Sequence, residues 1–468
     1  MTSDKIKEAC GVFGIYSKTP YDIVYDVQLG LFALQHRGEE SAGLAYATAD
    51  GVSCYKNMGM VPQVMSDNIL KSFPKSNIAI GHVRYSTTGS SNIVNSQPLL
   101  ISGRSGEIAL GHNGNIFNSG EVRERLTDKK ILLQTTIDSE IIAALINLYY
   151  DGDIVKAISF AAKDLKGSYA FTMMDKNRLI AVRDQSGIRP LVMGEKPDGT
   201  VVIASETPAL DVVGAAFTRD IRPGEILIVD ITGIHSYNID GERPKGLCSF
   251  EFVYFARTDS VIDGLAVYNA RRKAGELLAK NHSVEADIVS SVPDTAAVAA
   301  QAYADYSGIP FTEVLSKNRY IGRTFIQPQQ SERENMVKIK LAAIKHNVRG
   351  KRIILIDDSI VRGTTCKNII SLLYEAGARE VHMRITSPPV KFACYFGIDI
   401  QNEGELIGAK NTQEMIAAIL GCDSVEYLGI EELREMCGGA NLDICTGCFS
   451  GKYPIEVGIN KIDKLRME

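Results

Sequence analysis

The stretch Arg352-Ile353-Ile354-Leu355-Ile356-Asp357-Asp358-Ser359-Ile360-Val361-Arg362-Gly363-Thr364-Thr365 constrains this chain more than any other feature. Its apolar start reads as a strand that delivers Asp357 and Asp358 at its C-terminal end, where ligands sit in open α/β sheets. A loop containing hydroxyls and Gly363 then opens directly into a helix over 364–376, closed by Gly377. Backbone N–H groups at that helix start, with the hydroxyls of Ser359, Thr364 and Thr365, suit a 5′-phosphate. The two acids suit the 2′- and 3′-hydroxyls of a ribose and a divalent cation. Mg²⁺ prefers hard oxygen ligands, and a pyrophosphate would complete its shell. A plain strand-to-helix turn would need only a capping threonine and two solvated acids.

The surrounding pattern agrees. Segments 266–281, 294–307 and 364–376 read as helices, and 287–292, 352–357 and 380–386 as strands. Such alternation is the signature of a doubly wound parallel sheet. Residues 237–245 are polar and turn-forming, with Asn238, Asp240, Gly241 and Pro244, and read as an inter-domain connection. Earlier in the chain, short apolar runs at 79–82 and 107–110 feed loops rich in Gly, Asn, Ser and Thr. Residues 139–150 read as an apolar-faced helix, and 168–175, 179–183, 200–204 and 226–231 as strands. Many strands and few helices suggest packed sheets flanked by helices. A length of 468 residues fits about two or three domains.

The segment 352–365 closely resembles the phosphoribosylpyrophosphate (PRPP) loop of type I phosphoribosyltransferases. The resemblance extends to Ser291-Val292-Pro293-Asp294-Thr295, which is similar to that family's metal-side turn, with Thr295 where the family usually has serine. The hydroxyl is retained, so the resemblance implies that Thr295, Asp357 and Asp358 serve one Mg²⁺. Lys317-Asn318-Arg319-Tyr320-Ile321-Gly322-Arg323-Thr324-Phe325-Ile326 resembles the loop that closes over PRPP. Lys317 and Arg323 would then neutralise the pyrophosphate leaving group. Closure would also keep water from C1.

A second set of motifs lies in the first half: Ala9-Cys10-Gly11-Val12-Phe13-Gly14-Ile15, Gln35-His36-Arg37-Gly38-Glu39-Glu40-Ser41-Ala42-Gly43, Gly81-His82-Val83-Arg84-Tyr85-Ser86-Thr87-Thr88-Gly89 and Gly111-His112-Asn113-Gly114-Asn115. An isolated Cys10 would read as a buried strand cysteine. Four such clusters in this order resemble the glutaminase domain of the N-terminal-nucleophile amidotransferases. Amide hydrolysis needs a nucleophile, a base and donors for an oxyanion. A thiol with pKa of about 8.5 and an α-amine near about 7.7–8.0 can supply the first two from one residue. That requires a free amine on Cys10, so residues 1–9 are expected to be a propeptide. The resemblance implies that Asn113 and Gly114 form the oxyanion hole. It also implies that Arg84 grips the α-carboxylate of glutamine in a bidentate fork and that Asp138 takes its α-ammonium.

Composition excludes other classes. A formal charge of −5 and the lack of a basic run argue against a nucleic-acid partner. No apolar stretch reaches the ~20 residues of a spanning helix, and the N-terminus has no signal-like apolar core. Nine cysteines, an odd number, with no export signal point to a reducing cytoplasm and not to a disulfide framework.

Cys445-Thr446-Gly447-Cys448 by itself reads equally as a redox pair, half a zinc site or two inert thiols. One branch of the glutamine PRPP amidotransferases, the family that this chain resembles as a whole, carries a [4Fe–4S] cluster. The resemblance implies that Cys248, Cys394, Cys445 and Cys448 are its four ligands. The family often has His-Pro where this chain has Phe392-Ala393, a change in loop stiffness. Cys54, Cys366, Cys422 and Cys437 read as structural, with Cys437 the rival ligand.

The resemblance implies an N-terminal-nucleophile αββα sandwich over 10–235, followed by a type I phosphoribosyltransferase sheet with a cluster-binding C-terminal segment over 250–468. It implies glutamine and PRPP as substrates, 5-phosphoribosylamine as product, a cytoplasmic homotetramer, and inhibition by purine nucleotides such as AMP, GMP and ADP. Two other readings stand beside it. A non-catalytic PRPP-sensing regulator would need no Cys10. A different amidotransferase sharing the first domain, such as one acting on fructose 6-phosphate, would carry sugar-isomerase modules in place of residues 357–365.

Overall fold

The computed structural model describes residues 10–85, 91–241, 243–318, 341–400 and 402–457. Its first half is built on strands whose alternate side chains all have somewhere apolar to go. In Gly11–Tyr21, Phe13 and Ile15 face the helix Val24–Ala33, while Val12 and Tyr16 face a second sheet. In Glu225–Asp230, Ile226 and Ile228 face the helices Asp138–Tyr149 and Ile154–Asp164, while Leu227 and Val229 face back toward the first sheet. Strands buried on both faces read as continuous apolar runs, which is why period-2 alternation is weak in this sequence.

The result is a four-layer αββα stack. One sheet has seven strands in the order Ala216–Asp220, Val192–Glu195, Val201–Ala204, Gly11–Tyr21, Ser76–Arg84, Ser41–Ala47 and Val52–Met58. The other has six: Gly233–Asn238, Glu225–Asp230, Leu179–Arg183, Gly167–Met174, Gly106–Ile116 and Leu99–Gly103. The expected strands and the helix near 139–150 are present with ends moved by a residue or a few. The run at 107–110 is the first part of a longer strand, Gly106–Ile116, and Gly233–Asn238 continues into the segment expected as connection.

The second half is a parallel sheet, Ile288–Ser291, Arg352–Asp357, Glu380–Ile385 and Ser424–Tyr427 in that order. Ile354 and Ile356 face the helices Val267–Asn281 and Ala297–Ser307, whereas Ile353 and Leu355 face Thr364–Glu375 and Gln413–Leu420. The first two helices cross closely because Gly275 has no Cβ. One added there would sit 2.0 Å from the Ala299 carbonyl oxygen. A parallel bridge from Val289 to Phe311 extends the other edge, so the chain reverses direction after its first strand. That reversal opens a crevice between the C-terminal ends of Ile288–Ser291 and Arg352–Asp357. The helix expected over 294–307 starts only at Ala297, because residues 293–296 form the turn that lines this crevice.

Charge joins the halves. Arg37 donates to both oxygens of Glu251, at 2.8 and 2.9 Å, and also pairs with Glu206. Arg189 reaches the same Glu251 at 3.0 Å, and Arg183 forms a fork with Asp263 at 2.8 Å per bond. Arg37, Arg189, Glu206 and Glu251 are buried, so removing one partner of such a set costs about 3–5 kcal/mol. Burial pushes the Glu206 carboxyl up, but His36 and Arg37 outweigh it and hold the group well below the usual carboxylate range. A carboxylate depressed by folding contributes stability above its unfolded pKa of about 4.3, which is lost as pH falls below that value. Calorimetric melting temperatures are therefore expected to drop between about pH 5 and pH 3, less steeply in Glu206→Gln. Among the described residues no helix is long and apolar enough to cross a membrane.

Candidate active sites

Two separate sites emerge, one in each half. Cys10 precedes the central strand of the seven-stranded sheet, and its neighbour Ser76–Arg84 ends beside it, with Gly11 opposite Val83. That register places Cys10 and Arg84 at one strand end. An open pocket there is lined by Cys10, Arg84, Tyr85, Gln97, His112, Gly114, Ile137, Asp138 and Ser139. The Cys10 thiol donates to the Tyr85 carbonyl at 3.5 Å, and the Cys10 carbonyl accepts from Arg37 Nε at 3.3 Å. Burial pushes the thiol above its ordinary pKa, and the Arg84 guanidinium opposes that shift. The thiol therefore needs a nearby base to ionise.

The pocket histidine does not offer one. His112 Nδ1 is 3.0 Å from Ser139 Oγ and its Nε2 is 3.4 Å from the Ser168 carbonyl, so both ring nitrogens are engaged. Behind it, burial pushes His82 down to about 3, and its Nε2 lies 2.9 Å from the His112 carbonyl. Both imidazoles hold backbone in place. Arg84, buried, donates to Glu40 at 3.2 Å. Asp138 begins the helix Asp138–Tyr149, and its carboxylate accepts the Ile116 N–H at 2.8 Å.

Asn113 is the anomaly of this site. It is fully buried, yet neither its Oδ1 nor its Nδ2 has a hydrogen-bond partner. An unsatisfied buried polar group costs about 1–3 kcal/mol, and such groups usually mark a functional position. Next to it Gly114 has φ of +150°, and a Cβ there would lie 2.1 Å from the Ser168 carbonyl oxygen. Only glycine fits. Gln97, which accepts the His112 N–H at 2.8 Å, and Glu40 were not among the expected site residues.

At the crevice of the parallel sheet, Asp357 and Asp358 are both buried at the end of their strand. Thr295 Oγ1 donates to Asp358 at 2.7 Å, and Ser359 Oγ donates to its other oxygen at 2.8 Å. The turn from one strand and the acids from the next thus meet where expected. Gly363 caps the helix Thr364–Glu375 with φ of +87°, and a Cβ there would press on Ile407 and Leu420 at 3.0 Å each. Thr364 and Thr365 occupy the first helical positions. Lys317 pairs with Asp294 on the turn 293–296, whereas Arg323 and residues 1–9 lie outside the described residues.

The cysteines form a third grouping. The strands Leu247–Cys248 and Ile444–Cys445 pair in parallel with Cys248 directly opposite Cys445. The N–H groups of Lys391 and Phe392 donate to the Cys448 carbonyl at 2.9 and 3.0 Å, tying the loop of Cys394 to the C-x-x-C turn. Burial pushes Cys248 up to about 12, with Arg189 opposing. Cys448 is raised by burial and then by Cys394, Cys445 and Cys248, so these four thiols lie near one another, with Cys445 only half-buried. All are free thiols, and Cys437 lies near Cys248. Among the described residues, no three His, Cys, Asp or Glu are grouped to hold a metal ion.

Known proteins share this arrangement. A glutamine amidotransferase domain family matches residues 82–212, and a phosphoribosyl transferase domain family matches residues 264–386. The amidophosphoribosyltransferase of Methanocaldococcus jannaschii is 43% identical over 97% of this chain and 99% of its own length. That of Bacillus subtilis is 42% identical over 97% of this chain and 95% of its own length. A solved structure of the B. subtilis glutamine PRPP amidotransferase complexed with ADP and GMP superposes with a TM-score of 0.90 at 40% identity, over 97% of this chain and 100% of the other. With both catalytic halves present and relatives matched along nearly their whole length, the chain belongs to the amidophosphoribosyltransferases.

Proposed function

We propose that this enzyme converts glutamine, PRPP and water into glutamate, pyrophosphate and 5-phosphoribosylamine, the first committed step of purine synthesis. The observation that carries this reading is the orphaned amide of Asn113, which lies in sequence between His112 and Gly114 of the Cys10 pocket, in a chain that also holds paired acids at a sheet crevice. After residues 1–9 are removed, the Cys10 α-amine takes the thiol proton. The sulfur then attacks the glutamine carboxamide while Asn113 Nδ2 and the Gly114 N–H hold the oxyanion. Collapse releases ammonia, and water cleaves the resulting thioester to glutamate. Arg84 holds the α-carboxylate and Asp138 the α-ammonium of the substrate.

Ammonia then displaces pyrophosphate from C1 of PRPP in the second half, over 250–468. Asp357 and Asp358 hold the ribose hydroxyls, while Ser359, Gly363, Thr364 and Thr365 cradle the 5′-phosphate. Lys317 and Arg323 are assigned to neutralise the leaving group. Thr295, Asp357 and Asp358 would hold one Mg²⁺, which supplies charge neutralisation to the pyrophosphate when bound. A PRPP-sensing regulator would need no nucleophile; the pocketed Cys10 thiol and the unpartnered Asn113 amide favour catalysis. We place the enzyme in the cytoplasm as a homotetramer. ADP and GMP are assigned as inhibitors on the strength of the B. subtilis complex, and AMP by its chemical likeness to them.

Cys248, Cys394, Cys445 and Cys448 are assigned to a [4Fe–4S] cluster. What supports it is four free thiols on segments joined by the Cys248–Cys445 strand pair and by the bonds to the Cys448 carbonyl, the number of thiolates that such a cluster takes. Protein purified without oxygen is expected to be brown, with about four irons per chain by metal analysis. Serine at any of the four should give colourless, poorly folded protein, while Cys437→Ser should keep its iron. Stoichiometric zinc would end this assignment.

The reaction itself is tested with glutamine labelled with ¹⁵N at the amide. The label is expected at the amine of the sugar product; label found only in free ammonia, with PRPP unconsumed, would refute it.

A further inference from the structure

The phosphoribosyltransferase half reaches the wall of the glutaminase site through residues 395–397. Asn115 Nδ2 donates to the Tyr395 carbonyl at 2.8 Å, and Ser168 Oγ donates to the Phe396 carbonyl at 2.9 Å. Ser168 sits on the neighbouring strand and its hydroxyl also accepts the Asn115 N–H at 3.3 Å. The backbone of Asn115, one residue past Gly114, is thereby linked through one hydroxyl to the other half of the protein. Arg189 Nη2 adds a second donor to Phe396 at 2.9 Å. Asn115 and Ser168 are almost wholly buried, at 1% and 0% exposure, so water does not substitute readily for these bonds.

The backbones also approach closely. Gly397 has φ of +100°, and a Cβ there would lie 3.1 Å from the Gly114 carbonyl oxygen and 3.0 Å from Arg189 Nη2. The peptide that joins Gly114 to Asn115 is therefore wedged between Ser168 on one side and residues 395–397 on the other. Oxyanion donors act only when aimed to within a few tenths of an ångström, because the stabilised charge exists only in the transition state.

We propose that the segment 395–397, gripped by Asn115 and Ser168, sets the aim of the oxyanion donors at Asn113 and Gly114. Asn115 and Ser168 are then positioning residues for glutamine hydrolysis, and the phosphoribosyltransferase half supplies part of the glutaminase site's frame. This rests on the reading of Asn113 and Gly114 as the oxyanion hole.

The test uses the full chain with Asn115→Ala, Ser168→Ala and Gly397→Ala, and Asn113→Ala as reference. Three rates are measured: glutamine hydrolysis, ammonia-dependent consumption of PRPP, and alkylation of Cys10 by iodoacetamide, which needs no oxyanion hole. In the first three variants kcat for hydrolysis is expected to fall about tenfold or more. KM for glutamine should stay within about twofold, since ground-state contacts are untouched. Alkylation and ammonia-dependent synthesis should be unchanged. Should Asn115→Ala or Gly397→Ala fail to fold, Ser168→Ala, which removes one hydroxyl, decides the matter. Unchanged hydrolysis in Ser168→Ala, or a parallel loss of both activities, overturns the positioning role when Asn113→Ala is inactive. A fully active Asn113→Ala overturns the oxyanion reading itself, and the positioning role with it.

Discussion

Cys10→Ser is expected to abolish glutamine-dependent synthesis, by about four orders of magnitude or more, while ammonia-dependent synthesis continues. Serine keeps the shape of the site but its hydroxyl ionises far less readily than a thiol. Burial already pushes the Cys10 thiol up, so the site has no excess of activation to lend. Cys10 and Asp357 lie in different halves of the fold, each on its own sheet, so removal of one nucleophile should leave the other chemistry intact. Parallel assays with glutamine and with ammonium chloride check this. Loss of both activities in a folded variant would mean that Cys10 is not a dedicated nucleophile.

The reciprocal change, Asp357→Asn with Asp358→Asn, should remove phosphoribosylamine formation from either nitrogen source. Each acid accepts charge-assisted contacts worth about 1.5–3 kcal/mol, so PRPP affinity should fall about a hundredfold or more. The amides are nearly isosteric, and of the Thr295 and Ser359 hydroxyls one can still donate to the carbonyl oxygen of residue 358 while the other accepts from its amide N–H. The fold should therefore survive, and with it basal glutamine hydrolysis. Titration calorimetry with PRPP and Mg²⁺ measures the loss directly. Unaltered affinity would contradict the assignment of the crevice.

What the sequence disclosed follows from how local each signal is. The strand Arg352–Asp357 and the helix after it were legible because an apolar run, two acids, a glycine and two threonines are contiguous. Helix Ile154–Asp164 was missed, although Asp153 caps it by accepting from the Val155 and Lys156 N–H groups. Strand Ser424–Tyr427 was missed because it is short and has a charged residue at Glu426. The orphaned amide of Asn113 has no sequence signature at all, since burial without a partner is a property of the packed site. The same holds for Arg37, Glu206 and Glu251. Nothing in the sequence pairs these distant positions, and only the fold gathers them into one buried set.

The central claim is that one chain couples amide hydrolysis to displacement at C1 of PRPP. It is tested most directly by the stoichiometry of products. Purified enzyme given glutamine, PRPP and Mg²⁺ should form glutamate and pyrophosphate in a ratio close to one, with glutamate formation slowed when PRPP is omitted. Steady glutamate release without pyrophosphate, at the same rate with and without PRPP, would contradict the account.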